Sequence, residues 1–502
     1  MYIKPHIPFV AIFCVILAGC SVTPQVITKK EKEEFIKNDI KTLFANQEKV
    51  TKSITLYEAM ARAIKYNLDH RLSLMEKMVS KQELDVSRYD MLPSVTAEAG
   101  YNWRSAYSGA SSQEILSADQ LTGVQSLQAS TSQERVHNTK NVNVVWNVLD
   151  FGVSYVRAKQ QANSVLIREE QRKKVVQNII QDVREAFWRA ASAQRMLLEM
   201  DELMHRANQA LQRAKVLESL KLKKPLQALN YQKALLEIVH QMWSVRKNLS
   251  TAKTELAALM NLRPGQEFKI DLKDATSIDI NQLDLDVEKL EEYALKYRPE
   301  VMESQYQARN SALEVKKSIL RSMPGIELNI NANNDDNKYL FRNTWGEVGA
   351  QVSWNLFNIF SAQSKINESK TREKLEEIRR LSLEMAVITQ VNLAVHRFKL
   401  EKKNYNIIKD MADVEARIKA NILAAKKAQT LNELEVIKGM AAELVARMQR
   451  ELAYAELQNA LARIYNSIGL DPLPARPETN DLSALAKELR SNMEYWDRGA
   501  GI

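Results

Sequence analysis

Cysteine, proline and glycine are all scarce in this 502-residue chain, which contains 2, 11 and 13 of them. Both cysteines, Cys14 and Cys20, lie in the first twenty residues. The sequence after them offers no thiol for a disulfide, a redox pair or a thiolate metal site. The stability of the folded protein must therefore come from packing and assembly.

The sequence also lacks the short motifs of common enzyme chemistry. It contains no GxxxxGK[ST] phosphate loop, no HExxH pair and no nucleophile elbow. None of the six histidines has another histidine three or four residues away, so a metal site has no local support. We expect no enzyme activity, no metal and no cofactor.

The sequence also lacks a long continuous run of residues that all carry the same charge. The formal net charge is +9, but the basic residues are spread beside many glutamates and are not interleaved with aromatics. This distribution is typical of solvated helix surfaces. We therefore expect no nucleic-acid partner.

The N-terminus has a short apolar run from Ile7 to Ala18 after one lysine. The run is shorter than the roughly 20 residues that a membrane-spanning helix needs, so it predicts a secretory signal peptide over residues 1–19. Its end, Leu17-Ala18-Gly19-Cys20, resembles the lipobox of bacterial lipoproteins. That resemblance implies a lipid-modified Cys20. Because Ser21 rather than aspartate follows, it also implies sorting to the outer membrane.

The two halves of the chain resemble each other in parallel. Residues 63–67 match 294–298 at an offset of 231 (294 minus 63), and residues 146–149 match 354–357 at an offset of 208 (354 minus 146). The extra 23 residues of the first half (231 minus 208) should form a longer loop, because loops tolerate length changes. The predicted segments after the signal are an anchored N-terminal segment 20–55, a first repeat 56–262, a linker 263–286, a second repeat 287–470 and a C-terminal segment 471–502.

Four segments alternate apolar and polar residues, which predicts strands with two unlike faces. Each has about the 9–11 residues that cross a bilayer at a tilt. The alternation is typical of an outer-membrane barrel. A soluble sheet with one buried face is the alternative interpretation of the same pattern. The side chains that we expect to face lipid include Val95, Ala97, Tyr101, Trp103, Val144, Trp146 and Leu328.

Four strands are too few for a membrane barrel. Single-chain barrels have at least about 8 strands, and unpaired strand edges are not tolerated in hydrocarbon. Three copies would give twelve strands (3 × 4) and a lumen, whereas the interior of an eight-stranded barrel is filled by side chains. We expect a homotrimer whose outer loops are residues 105–138 and 334–344.

Very long helices are predicted where glycine and proline are absent, between Gly152 and Pro225 and between Gly349 and Gly439. A helix over 155–220 would be roughly 100 Å long at 1.5 Å per residue. Its apolar residues recur with a mean spacing near 3.5, as in a coiled-coil seam. The seam comprises Val176, Ile180, Val183, Phe187, Ala190, Ala193, Leu197, Met200, Met204, Ala207, Leu211 and Ala214. A short amphipathic helix is predicted near the C-terminus, with Leu482, Leu485, Leu489 and Met493 on one face.

With its elements in this order, the chain resembles the TolC-like outer-membrane factor family, lipoprotein branch. The residues that carry the resemblance are Ile54–Ala59, Leu92–Ser94, Arg298–Glu300 and the two Trp-Asn pairs, Trp146-Asn147 and Trp354-Asn355. The resemblance implies a mainly α fold with a membrane β-barrel portion. In that fold a duplicated helix–strand–strand–helix–helix repeat builds a long antiparallel helical barrel and a trimeric twelve-stranded barrel.

The resemblance also implies a function. It predicts a lipid-anchored subunit of a Gram-negative outer-membrane channel with a long periplasmic extension. The channel would be a passive conduit for efflux of small molecules or for type I secretion, working with a periplasmic adaptor and an inner-membrane pump or ABC exporter. The alternative is a periplasmic coiled-coil adaptor or scaffold lipoprotein without a pore.

The two periplasmic turns depart from the family pattern, in which an arginine, a Gly-Leu pair and a serine or threonine usually precede Leu-Asp. Here the turns are residues 221–227 and 429–435, and Lys221 and Gln429 occupy the glycine position. Plain helix-turn-helix loops are the alternative to a functional tip. The candidate gate or adaptor-docking residues are Lys221, Leu222, Pro225, Leu226, Gln429, Thr430 and Leu434.

Overall fold

The computed structural model describes residues 24–45, 47–118, 120–125, 128–220, 225–271, 285–428, 433–473 and 481–497. The predicted signal peptide, Cys20 and the turn candidates Lys221, Leu222, Gln429 and Thr430 lie outside these ranges. The helices are α1 (Lys29–Leu43), α2 (Leu56–Tyr66), α3 (Leu68–Tyr89), α4 (Val148–Ser219), α5 (Pro225–Ser250), α6 (Ala252–Leu259), α7 (Val287–Tyr297), α8 (Pro299–Leu320), α9 (Leu356–Lys427), α10 (Glu433–Ser467) and α11 (Leu482–Asp497). The strands are β1 (Ser94–Trp103), β2 (Gln113–Ser117), β3 (Gln120–Gln125), β4 (Val136–Asn147), β5 (Gly325–Asp335) and β6 (Thr344–Ser353).

The predicted duplicated order is confirmed. In the first repeat, α2 and α3 lead into β1 and β4, which are followed by α4 and the α5–α6 pair. In the second repeat, α7 and α8 lead into β5 and β6, which are followed by α9 and α10. The four long strands form one antiparallel sheet in the order β1-β4-β5-β6.

The two longest helices begin at equivalent asparagines. The Asn147 side chain accepts hydrogen bonds from the backbone N–H groups of Leu149 and Asp150, and Asn355 accepts one from Phe357 at 3.0 Å. Asparagine is a preferred N-cap because its side chain satisfies donors that the first helical turn leaves free. Each Trp-Asn pair therefore marks the point where a strand becomes a helix.

Both long helices contain 72 residues, about 110 Å at 1.5 Å per residue. The predicted seam of α4 is confirmed as a packing face. Ten of its twelve residues are buried, and Leu197 and Met204 are partly buried against the same core. The seam packs in the middle of the molecule, where α2, α5, α6, α10 and α11 also contribute to the core.

The C-terminal helix α11 has the predicted amphipathic character, since Leu482, Leu485, Leu489 and Met493 are all buried. It packs on α2. By contrast, the N-terminal helix α1 has no buried residue and is held at its end by a hydrogen bond from Asn261 Nδ2 to the Leu43 carbonyl (2.8 Å). No helix in the described ranges is both long enough and apolar enough to span a membrane.

The prediction of a plain outer loop over 105–138 was wrong. This segment contains the small β2–β3 hairpin, in which Ile115 is paired with Leu121. The strand β4 already begins at Val136, which pairs with Trp103 and so extends the β1–β4 ladder. The second loop is also shorter than expected, because β5 continues to Asp335 and β6 starts at Thr344.

Candidate channel wall and helix tips

The pairing register of the four-stranded sheet gathers apolar residues on one face. Directly paired residues of antiparallel strands lie on the same face. One row across the sheet consists of Val95, Val144, Ile330 and Val348. Neighbouring rows are Ala97, Val142, Ala332 and Gly346, and Trp146, Leu328 and Ala350. The structure therefore places on one face all seven residues that the sequence assigned to lipid.

The opposite face of the sheet is polar. One of its rows runs Thr96, Asn143, Asn331 and Glu347; another runs Glu98, Asn141 and Asn333; a third runs Asn147, Glu327 and Gln351. At one end of this face, His137 Nδ1 lies 2.9 Å from Asp335 Oδ1. Val145 and Trp345 are the apolar exceptions, and Trp345 Nε1 donates to Glu347 at 2.7 Å.

No part of the chain that the structure describes covers the apolar face. Val348 is 84% exposed and Val352 69% exposed on β6, and Trp103 is 61% exposed on β1. β1 and β6 are also the outer strands of the sheet, and among the described residues each is paired with only one neighbouring strand. The single chain thus has an apolar sheet surface and two open edges that need further partners.

The helices next to the sheet are arranged side by side in the same order as the strands to which they are joined. α3 packs on α4, α4 on α8, and α8 on α9. The outer helices of this layer, α3 and α9, expose apolar side chains, among them Met75 and Val79 on α3 and Phe360, Ile378 and Met385 on α9. The helical layer therefore has two apolar edges at the positions where the sheet has two open strands.

Ion pairs also join the helices of this layer. Lys77 of α3 lies 2.7 Å from Glu169 of α4, and Arg172 holds the same carboxylate at 2.8 Å. Burial raises the pKa of Glu169, but the hydrogen bonds from Arg172 and Lys77 outweigh it and hold the pKa at about 2. On the other side of α4, Lys174 pairs with Glu300 of α8 at 2.8 Å.

Further down, α10 of the second repeat packs along α4 of the first. The ion pairs between them are Arg195 with Glu451 (2.8 Å), Arg447 with Glu199, and Arg213 with Glu433 (3.2 Å). The buried guanidinium of Arg184 donates to Gln458 Oε1 at 2.8 Å in the same interface. These contacts could not be predicted from the sequence, because a pairing between residues more than 200 positions apart has no local signal.

The described tip candidates differ in exposure. Pro225 is the first residue of α5, and Leu226, next to it, is 71% exposed. Leu434, at the start of α10, is only 9% exposed and belongs to the core. In the single chain the Leu226 side chain is thus free to contact a partner protein, whereas the Leu434 side chain packs in the core. Within the described ranges, no group of three His, Cys, Asp or Glu side chains could hold a metal ion.

No family model and no curated protein matches the sequence. Solved outer-membrane channels do match the structure. OprN is 16% identical, with a TM-score of 0.62 over 82% of this chain and 89% of that chain. The CmeC channel of Campylobacter jejuni is 12% identical, with a TM-score of 0.61 over 94% and 93% of the two chains. The open-state MtrE channel of Neisseria gonorrhoeae is 14% identical, with a TM-score of 0.60 over 82% and 88%. The chain therefore has the TolC-like fold of these outer-membrane channels.

Proposed function

We propose that three copies of this chain form an outer-membrane channel that serves as a passive conduit from the periplasm to the exterior. The observation that carries this proposal is the four-stranded sheet with one apolar face, one polar face and two open edges. Joining β6 of one copy to β1 of the next closes twelve strands (3 × 4) and leaves no edge in the membrane. The apolar face then meets lipid and the polar face lines a lumen.

The helical layer fits the same closure. The apolar edges of α3 and α9 would meet between neighbouring copies, which gives twelve helices around one axis (3 × 4). Because α4 and α9 are each about 110 Å long, the tunnel reaches far beyond the membrane. A soluble scaffold, the alternative function, would leave Val348 and Val352 in water at 84% and 69% exposure, so the channel is favoured.

A passive conduit needs an external source of energy, which implies partners. We place a periplasmic adaptor at the helix tips and an inner-membrane pump or ABC exporter beyond it. The exposed Leu226, together with the neighbouring exposed Leu220 and Leu229, supports the first turn as the docking surface. The remaining candidates for adaptor docking or for a gate of the channel are Lys221, Leu222, Pro225, Gln429 and Thr430.

The proposed cargo is small molecules in an efflux system, or a polypeptide in type I secretion. Lipid attachment at Cys20 would add an anchor beside the barrel. An intact-mass measurement of the membrane-extracted protein tests it. A chain that starts at residue 20 and carries acyl groups supports the anchor, and an unmodified chain that retains residues 1–19 contradicts it.

Planar-bilayer recording of the detergent-purified protein tests the conduit. We expect discrete, uniform conductance steps, since the closed barrel leaves a water-filled lumen. Absence of conductance from protein that remains soluble without detergent would contradict the channel and support the scaffold.

A further inference from the structure

A groove with a volume of about 460 Å³ lies between the end of α8 and the start of α9, beside the sheet. Nine of the ten residues that line it are polar, and they include three cations, Arg321, Lys365 and Arg372, and two carboxylates, Glu314 and Glu368. Three serines and one asparagine complete the polar lining. No motif or periodic pattern of the sequence marks any of these residues.

Two further hollows connect the groove with the polar face of the sheet. Asp150, at the start of α4, lines a hollow together with Asn147 and Glu327 of that face. The same Asp150 lines the next hollow together with Arg157 and Arg321. Arg321 in turn lines the groove between α8 and α9. Polar side chains therefore recur from the polar face of the sheet to the groove, although apolar residues such as Trp146, Phe151 and Val153 also line the two hollows.

A neighbouring copy of the proposed trimer would leave the groove open. The residues of α9 that line it, from Asn358 to Arg372, recur at spacings of three and four, which is one face of a helix. At 100° per residue, Phe360 and Ile378 lie about 160° around α9 from Asn358. These exposed apolar residues, where the next copy would pack, are therefore on the far side of the helix.

The charges in the groove are not balanced. Glu314 is paired with Lys317 of its own helix (2.5 Å) and accepts a hydrogen bond from Gln160 (2.9 Å). Glu368 is paired with Arg372 at 2.8 Å. Arg321 and Lys365, by contrast, have no carboxylate of a described residue within ion-pair distance, although Arg321 is near enough to Glu314 to help lower the pKa of that carboxyl. With three cations and two carboxylates in its lining, the groove carries an excess of one positive charge, and its two cations without a close ion pair are Arg321, just after α8, and Lys365, on α9.

Guanidinium, ammonium and hydroxyl groups are donors that match carboxylate and phosphate oxygens. We propose that this groove is a binding site on the lumen wall for an oxyanion group of the transported molecule, with Arg321 and Lys365 as the contact residues. The proposal rests on the channel function and names a chemical class for its cargo: small molecules that carry a carboxylate or a phosphate.

The test is block of the channel current by two probe anions, citrate and pyrophosphate, added at constant ionic strength in a planar bilayer. The groove variant is Arg321→Gln/Lys365→Gln. The matched control is Lys316→Gln/Lys370→Gln, which removes the same charge from exposed positions of the same two helices outside the groove. The concentration of each anion that halves the current is measured for both variants and for the unmodified protein.

We expect citrate or pyrophosphate, or both, to block the unmodified channel. The half-blocking concentration should rise about tenfold in the groove variant, equivalent to about 1.4 kcal/mol, and stay unchanged in the control. Block by only one of the two anions assigns the groove to that oxyanion. The site is contradicted if neither anion blocks the unmodified channel, or if the groove variant is blocked at the same concentration as the unmodified protein. An equal loss of block in the control also contradicts it. A protein that forms no channel at all would instead contradict the proposed function, on which the site depends.

Discussion

At the scale of single residues, the last helix of each repeat is capped at its C-terminal end in the same way. Asn261 and Gly469 occupy equivalent positions and both have positive φ, 56° and 78°. The N–H of the next residue then donates back to the helix: Leu262 to the Ala257 carbonyl (2.8 Å) and Leu470 to the Tyr465 carbonyl (3.1 Å). Such left-handed caps favour glycine or asparagine because other side chains are strained there. The repeat offset of 208 makes the two positions equivalent (469 minus 261), but no sequence pattern indicated this shared role.

Replacing Gly469 should be costly for two reasons. An alanine there would be strained by the positive φ, and its Cβ would lie 2.5 Å from Arg298 Cα and 2.8 Å from Arg298 N. We expect Gly469→Ala to destabilise the protein by about 2–4 kcal/mol. The control is Gly265→Ala, where φ is also positive (84°) but nothing lies within 4 Å, with an expected cost of about 1–2 kcal/mol. Thermal unfolding followed by circular dichroism compares them, and equal losses would contradict the proposed clash.

Glu169 should make stability depend on pH. Its pKa is about 2 in the folded protein, against 4.5 ordinarily. Its pairing with Lys77 and Arg172 therefore stabilises the fold above about pH 4.5, and this contribution is lost as the pH falls toward 2. We expect Glu169→Gln to cost about 1–2 kcal/mol at pH 7 and little near pH 2.

The control for Glu169 is Glu202→Gln on the same helix, which removes an exposed pair with Arg206 and should change stability by less than about 0.5 kcal/mol. Unfolding midpoints at pH 7 and pH 3 provide the comparison. A Glu169→Gln protein whose midpoint follows that of the unmodified protein at both pH values would show that the ion pairs with Lys77 and Arg172 add nothing.

At the scale of elements, sequence periodicity predicted the four long strands, the seam of α4 and the amphipathic α11. These patterns are strong because each element buries or presents one face over many residues. The β2–β3 hairpin was missed because its apolar residues Ile115, Leu116, Leu121 and Val124 are few and do not alternate regularly. A short hairpin of that kind leaves almost no periodic signal.

Introducing a charged side chain should impair assembly on the apolar face of the sheet and be tolerated on the polar face. Ile330 lies in the middle of the apolar face, and the next residue, Asn331, lies in a polar row beside Glu347. We expect Ile330→Arg to cost about 2–4 kcal/mol per copy in the membrane and to reduce the assembled protein in the outer-membrane fraction severalfold. Asn331→Arg, one residue away, should assemble normally. Equal assembly of the two variants, judged on unheated gels, would contradict the assignment of lipid and lumen faces.

At the scale of the whole molecule, the duplication, the paired strands and the glycine-free stretches predicted the order of the elements, and the resemblance to the TolC-like family implied the fold. It could not predict which helices touch across the two repeats, because contacts such as Arg447 with Glu199 depend on the tertiary arrangement alone. The groove at Arg321 and Lys365 was missed for the same reason, since its residues come from two helices with a strand pair between them. The tips, for which the family pattern is altered, remain predictions at Lys221, Leu222, Gln429 and Thr430.

The central claim is that one chain supplies a third of a closed barrel. The most direct test is the mass of the detergent-solubilised protein, measured by light scattering and corrected for bound detergent. The open strands β1 and β6 and the apolar edges of α3 and α9 predict a particle of three chains. A particle of a single chain, stable in solution with its sheet edges unpaired, would contradict the account.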